Sequence, residues 1–145
     1  MKIYTIGYTK KTAQQFFEIL ANHKVQCVVD IRLRPYGQLA GFAKKEDLPY
    51  FLKQINGCDY IHMPLLAPDD NLLDGYRQDH DWKQYEIGFK VLMDARNFPE
   101  MIDKSLFEEK TCCLLCSEST PQNCHRRLVA EGQARHWKDV EIIHL

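Results

Sequence analysis

The feature that most narrows the fold is a pair of short runs, Val25 to Ile31 (Val-Gln-Cys-Val-Val-Asp-Ile) and Thr111 to Cys116, that are apolar at most positions. A strand with apolar side chains on both faces must be covered on both, which is the habit of parallel sheets wrapped by helices. Three more β-rich runs fit the same sheet: Ile3 to Ile6 closed by Gly7, Tyr60 to Met63, and Val140 to His144. Helical patterns alternate with them. Thr12 is an N-cap for a helix that places Phe16, Ile19 and Leu20 on one face. A second helix is expected over Lys45 to Ile55, ending near Gly57, and a third over Trp82 to Arg96 with Tyr85, Phe89 and Leu92/Met93 in one stripe. A fourth is expected to be capped by Ser119 or Thr120, with Pro121 in its first turn, and to run to His136. Between Pro64 and Asp81, two prolines, a glycine and five aspartates read as one long irregular connection. The expected fold is therefore α/β: a three-layer sandwich with a mostly parallel sheet of about five strands and helices on both faces.

Composition decides what this sheet can serve. The length of 145 residues suits one domain, residues 1–145, and 45% hydrophobic and 11% aromatic residues suffice for a core without staples. A net charge of -1 excludes the broad positive field of many nucleic-acid binders, so any anion site must be a local cluster. No stretch approaches the roughly 20 apolar residues of a membrane span, and the first apolar run is too short for a signal-peptide core. The expectation is a cytoplasmic protein without membrane partners, its six cysteines kept as thiols.

Ligands of parallel α/β sheets bind beyond the carboxyl ends of the strands. The first strand leads there into Gly7-Tyr8-Thr9-Lys10, the second into Arg32-Leu33-Arg34-Pro35-Tyr36, and the fourth into Cys116-Ser117-Glu118 and on to Cys124-His125-Arg126-Arg127. The reactive and cationic side chains thus gather at one edge. Arg32 and Arg34 alternate along extended chain and project to one side. They suit a phosphate or carboxylate, against the alternative that Arg32 pairs with Asp30 or Glu118 as a structural ion pair. Arg126 completes the anion-binding set. Cys116 ends a buried strand, and Cys124 falls early in the expected fourth helix, whose positive end favours a thiolate. Either is a candidate nucleophile, while Cys112 and Cys113 read as core. Glu118 and His125 are candidate proton carriers. His62 ends a strand, where a bond to backbone is the commoner role. Tyr36, Tyr60, Tyr76, Trp82 and Tyr85 surround the long connection and either stack on a ring ligand or fill core. No metal centre is expected from Cys116, Cys124 and His125. Their spacing is not that of a zinc ribbon, and adjacent residues on a helix point about 100° apart.

Several of these blocks together resemble a known family. Thr5-Ile6-Gly7-Tyr8, Val29-Asp30-Ile31-Arg32 with Pro35, Tyr60 through Leu66, and Leu114-Leu115-Cys116-Ser117-Glu118 with Pro121 and Cys124-His125-Arg126 are similar to the motifs of the bacterial and archaeal family called domain of unknown function 488. The resemblance runs in order from residue 3 to about residue 144, and its C-x-E-x-x-P-x-x-C-H-R block is the specific part. It implies an α/β sandwich and, as the family's name says, no settled activity. Two positions depart from it. Tyr8 stands where many members have histidine, and Ala67-Pro68 where many have a glycine pair.

Three functions fit these residues. The first is a hydrolase or transferase acting on a phosphorylated or nucleic-acid-related substrate. In it Arg32, Arg34 and Arg126 hold an anion, Cys116 or Cys124 is the reactive thiol, and Glu118 or His125 moves a proton. The second is a module that binds a nucleotide or nucleic acid without turnover. The third is a thiol redox sensor built on Cys116 and Cys124. No cofactor is legible.

Overall fold

A computed structural model describes all 145 residues. Strands β1 (Lys2–Gly7), β2 (Cys27–Asp30), β3 (Asp59–His62), β4 (Cys112–Cys116) and β5 (Glu141–His144) form one sheet in the order β3-β2-β4-β1-β5. Every pairing is parallel. Six helices cover it: α1 (Ala13–Asn22), α2 (Leu48–Phe51), α3 (Asp70–Asp79), α4 (Trp82–Ala95), α5 (Lys104–Glu109) and α6 (His125–Trp137). The expected α/β sandwich is the fold, with a sheet that is wholly rather than mostly parallel. No helix is long and apolar enough to cross a membrane.

The two-residue period of the strands explains both layers of core. Ile3, Cys27, Val29, Cys112 and Leu114 point to one face, where they pack with Tyr85, Phe89 and Met93 of α4, Phe107 of α5 and Leu128, Val129 and Ala130 of α6. Their chain neighbours Tyr4, Val28, Cys113 and Leu115 point to the other, against Phe16, Phe17 and Leu20 of α1 and Leu48 of α2. Each fully buried branched or aromatic side chain contributes roughly 1.5–3 kcal/mol of burial energy. Cys112 and Cys113 are core on opposite faces, as expected, and all six cysteines are free.

Chain direction then decides where a cleft opens. The connections from β1 to β2 and from β2 to β3 run toward the β3 edge; those from β3 to β4 and from β4 to β5 run back. Parallel crossovers are right-handed, so connections running in opposite directions must lie on opposite faces. β2 and β4 are neighbours whose chains depart to opposite faces, and a crevice is left between their carboxyl ends.

Local signals were mostly sound. Thr12 caps α1 through a full capping box with Gln15. Asp81 caps α4, and the Tyr85-Phe89-Met93 stripe is buried. Three expectations need correction, and one helix goes unread in the sequence. The segment from Pro64 to Asp81 is not one irregular loop: Asp69 caps α3 there by accepting from the Leu72 amide. The helix expected over Lys45 to Ile55 is a single α turn that widens into a π turn over Leu52–Asn56, stopped by left-handed Gly57. α5 lies in a stretch with no assigned element, capped by Asp103. Finally, α6 starts at His125 and not near Pro121, so Ser119 and Thr120 do not cap it. Cys124 is its N-cap residue, with extended backbone (φ -138, ψ 136).

Gly7 is fixed by a close approach. A Cβ added there would stand 1.6 Å from the Glu118 carbonyl oxygen and 2.3 Å from Arg126 Nη1. The turn after β4 is thus pressed onto the end of β1 where only a hydrogen fits. Because the nearest obstacle is backbone, Gly7→Ala should cost about 3 kcal/mol, the upper end for overpacking. Urea unfolding of the two proteins measures it; an unchanged midpoint would contradict this packing.

Candidate functional site

The crevice between β2 and β4 is a cavity of about 540 Å³, within the usual range for small-molecule sites. Arg32, Leu33 and Arg34 reach it from the end of β2, and Cys116, Ser117 and Glu118 from the end of β4. Cys124 and His125 reach it from the start of α6, and Tyr76, Arg77, His80, Trp82 and Tyr85 from α3, α4 and their junction. The fold therefore brings together six of the seven residues singled out from the sequence. Arg126 is the exception. It is fully buried outside the cavity lining, donates through Nη1 to the Glu118 carbonyl, and leaves Nε and Nη2 without partners.

Cys116 and His125 are in contact. The Cys116 sulfur lies 3.4 Å from His125 Nδ1, and both residues are buried. His125 Nε2 lies 2.7 Å from the Ile31 carbonyl oxygen. A carbonyl only accepts, so Nε2 carries a hydrogen and donates it, leaving Nδ1 for the thiol. The ring also packs on Phe89, with centroids 5.6 Å apart. The Cys124 thiol beside Cys116 does most to hold the Cys116 pKa well below its ordinary value, and the charge of His125 assists against the opposing effect of burial. Burial works against a charged imidazole at His125, yet the neighbouring Cys116 and the Ile31 carbonyl raise its pKa. Cys124 is pushed the other way, well up, by burial first and then by Cys116. Cys58, deep in the other core, shows burial without such partners: its thiol is pushed up to about 12.

The backbone of Cys124 removes one of the two grounds against a metal, the divergence of Cys124 and His125 on a single helix; the spacing remains unlike a zinc ribbon. Because Cys124 is extended, its sulfur turns back toward the site, and the ligand atoms of Cys116, Cys124 and His125 all lie within 4.8 Å of one another.

The two arginines that follow β2 divide into two kinds. Arg32 is 4% exposed and is a structural partner of Asp30, with Nε 2.9 Å from Oδ1 and Nη2 2.7 Å from Oδ2. Nη2 also donates to the Ala43 carbonyl, and the Tyr60 hydroxyl donates to Asp30 Oδ2. Burial opposes the charge on Arg32, and the Asp30 carboxylate raises its pKa in spite of it. Only Nη1 is left without a partner. Tyr8 lies against this guanidinium, 5.3 Å from ring centroid to Cζ. Arg34 is half exposed and pairs with Asp70 and Asp74 of α3. His62 is occupied by backbone: its Nε2 donates to the Arg32 carbonyl across 2.9 Å.

Arg77 and His80, on α3 and at its end, are not legible as site residues in the sequence, where the aspartates of this segment read as a loop. The helix itself has a signal: Asp69 precedes Leu72, Leu73 and Tyr76 at helical spacing. Tyr76, Trp82 and Tyr85, named above as stacking or core residues, form a mutually packed aromatic wall that also lines the cavity.

The family model described as Domain of unknown function DUF488 matches residues 12–132. The chain belongs to this family. Within the match lie β2, β3, β4 and most of α6, and with them Arg32, Arg34, Cys116, Glu118, Cys124, His125 and Arg126. The Thr5-Ile6-Gly7-Tyr8 block lies outside it. No curated protein and no solved structure matches the chain.

In this DUF488 protein Asp30 is the residue that fixes Arg32 at the cavity. Asp30→Asn leaves the buried guanidinium with one charge uncompensated and should cost about 3–5 kcal/mol. Urea unfolding with an intrinsic-fluorescence readout checks this, and a loss below about 1 kcal/mol would show that the pair does not carry the loop.

Proposed function

We propose that this DUF488 protein is a thiol-dependent hydrolase or transferase acting on a phosphorylated or nucleic-acid-related substrate. The observation that carries the reading is the Cys116–His125 contact at the strand-switch crevice, with His125 oriented by the Ile31 carbonyl. Nucleophile, base and orienting group in series are the usual signature of an activated thiol. Arg77 and the amino-terminal end of α6 offer positive charge to an anionic group, Arg34 joins them by exchanging Asp70 and Asp74 for it, and the buried, unpartnered Nη1 of Arg32 stands behind them. Tyr76, Trp82 and Tyr85 offer a surface for a ring.

In this reading the Cys116 thiolate attacks phosphorus and the bond to the leaving oxygen breaks. That oxygen takes the proton from His125 Nδ1. Water then gives a proton back to Nδ1, its oxygen displaces sulfur from phosphorus, and Cys116 departs as thiolate. A transferase puts an acceptor hydroxyl in place of the water. Cys124 supports the thiolate from beside it. Glu118, exposed at the rim, exchanges protons between the site and solvent.

Alkylation by iodoacetamide at neutral pH, with a chelator and a reductant removed before labelling, tests the assignment. Mass mapping should find Cys116 modified first and Cys58 spared. His125→Gln should slow the Cys116 reaction about tenfold, as expected when an activating base is lost. Inorganic phosphate should protect, and Arg34→Ala should weaken that protection. Cys116 reacting no faster than free cysteine would discard thiol catalysis. Phosphate binding that then survived Cys116→Ser would favour the non-catalytic binding module.

A further inference from the structure

We infer that Cys116, Cys124 and His125 form an open three-ligand site for a thiophilic divalent cation, with Zn²⁺ the best fit. Their ligand atoms lie within 4.8 Å of one another, with Cys116 Sγ and His125 Nδ1 3.4 Å apart. In a tetrahedral zinc site with bonds of about 2.3 Å to sulfur and 2.0–2.1 Å to nitrogen, neighbouring ligand atoms are about 3.5–3.8 Å apart. The three donors are therefore close to binding distance already, and only a small inward movement separates them from it.

The donor set chooses the ion. Two thiolates and an imidazole are soft or borderline ligands, which disfavour Mg²⁺ and Ca²⁺ and suit zinc. The arrangement behind the ligands suits it too. A ligating histidine ordinarily donates its second ring N–H to a carbonyl or carboxylate, which fixes its orientation. Here Nε2 donates to the Ile31 carbonyl at 2.7 Å and Nδ1 faces the sulfurs. The three residues also line the cavity, so the fourth coordination position opens onto it. That is the pattern of an exchangeable site and not of a closed structural one.

Binding balances as an exchange of Zn²⁺ for two protons. If the pair is Cys116 thiolate with imidazolium, they come from Cys124 and His125 Nδ1; if it is neutral, they come from the two thiols. The inference goes beyond the catalytic reading and stands without it. Where both hold, zinc silences the enzyme, because the ion and a substrate compete for the same sulfur.

The test uses the full chain, reduced and stripped with a chelator that is then removed. Co²⁺ is titrated first as a spectroscopic stand-in, then Zn²⁺ against a chromophoric chelator. One equivalent of Co²⁺ should produce a thiolate-to-metal charge-transfer band and strong visible bands of tetrahedral geometry, both erased by Zn²⁺. Cys124→Ser should weaken zinc binding by about 100-fold or more, beyond the 10–100-fold typical of losing a supporting group. Cys58→Ser should leave it unchanged, and circular dichroism reports whether each variant is folded. Absence of the charge-transfer band in the unaltered chain overturns the inference without help from any variant. So does binding that survives Cys124→Ser, or that falls equally in Cys58→Ser. The alkylation experiment is run with metal withheld, so failure of either idea is visible apart from the other.

Discussion

The parallel pairing of β2 with β4 is the constraint on which the site depends. It sets Asp30 opposite Leu115, so that the segments leaving both strands start side by side. One carries Ile31, Arg32 and Arg34; the other carries Cys116 and Glu118. The crossover rule then sends the two chains to opposite faces, and the space between them cannot be filled by either connection. His125 closes the arrangement by bonding back to Ile31, 94 residues earlier in the chain. This single bond ties the start of α6 to the end of β2 and selects the ring nitrogen that meets Cys116.

Two buried polar features hold the crevice in shape. Asp30 accepts from the Arg32 side chain, the Arg32 backbone amide and the Tyr60 hydroxyl, so the loop after β2 leaves the sheet in one conformation. On the other side the turn after β4 lies against Gly7 and is held from beneath by Arg126. Arg126 therefore shapes the site through the Glu118 carbonyl, while Arg32 lines the cavity and keeps one buried nitrogen unpaired. Burial of a guanidinium is costly unless its hydrogens are used, and both residues spend most or part of theirs on structure.

How much of this was legible varies with the range of the interaction. The sheet could be read because strands buried on both faces carry their own apolar record, as Val28 and Val29 or Cys113 and Leu114 do by pointing in opposite directions. α1 and α4 could be read because their caps and apolar stripes are local. α3 was hidden by its polarity: it buries no residue fully, and its aspartates look like a loop. The start of α6 was misplaced because Pro121 and the hydroxyl residues before it imitate a helix entry that the chain makes only at His125.

The order of side chains along the chain, by itself, determined that this is an α/β protein with a mostly parallel sheet and with Arg32, Arg34, Cys116, Glu118, Cys124, His125 and Arg126 in the segments that follow the carboxyl ends of its strands. Periodicity and topology rules are enough for that, since they depend only on neighbours and chirality. Which groups touch was decided by tertiary structure alone. Arg32 could have faced an anion or Asp30, and the turn after β2, which brings the Arg32 amide and guanidinium back onto the Asp30 carboxylate, chose Asp30. Cys124 and His125 would diverge on a helix, and an extended N-cap let them converge. For that pair the extended backbone of Cys124 separates the two outcomes, and a cap conformation is settled by where the helix starts, which the tertiary path of the chain decides.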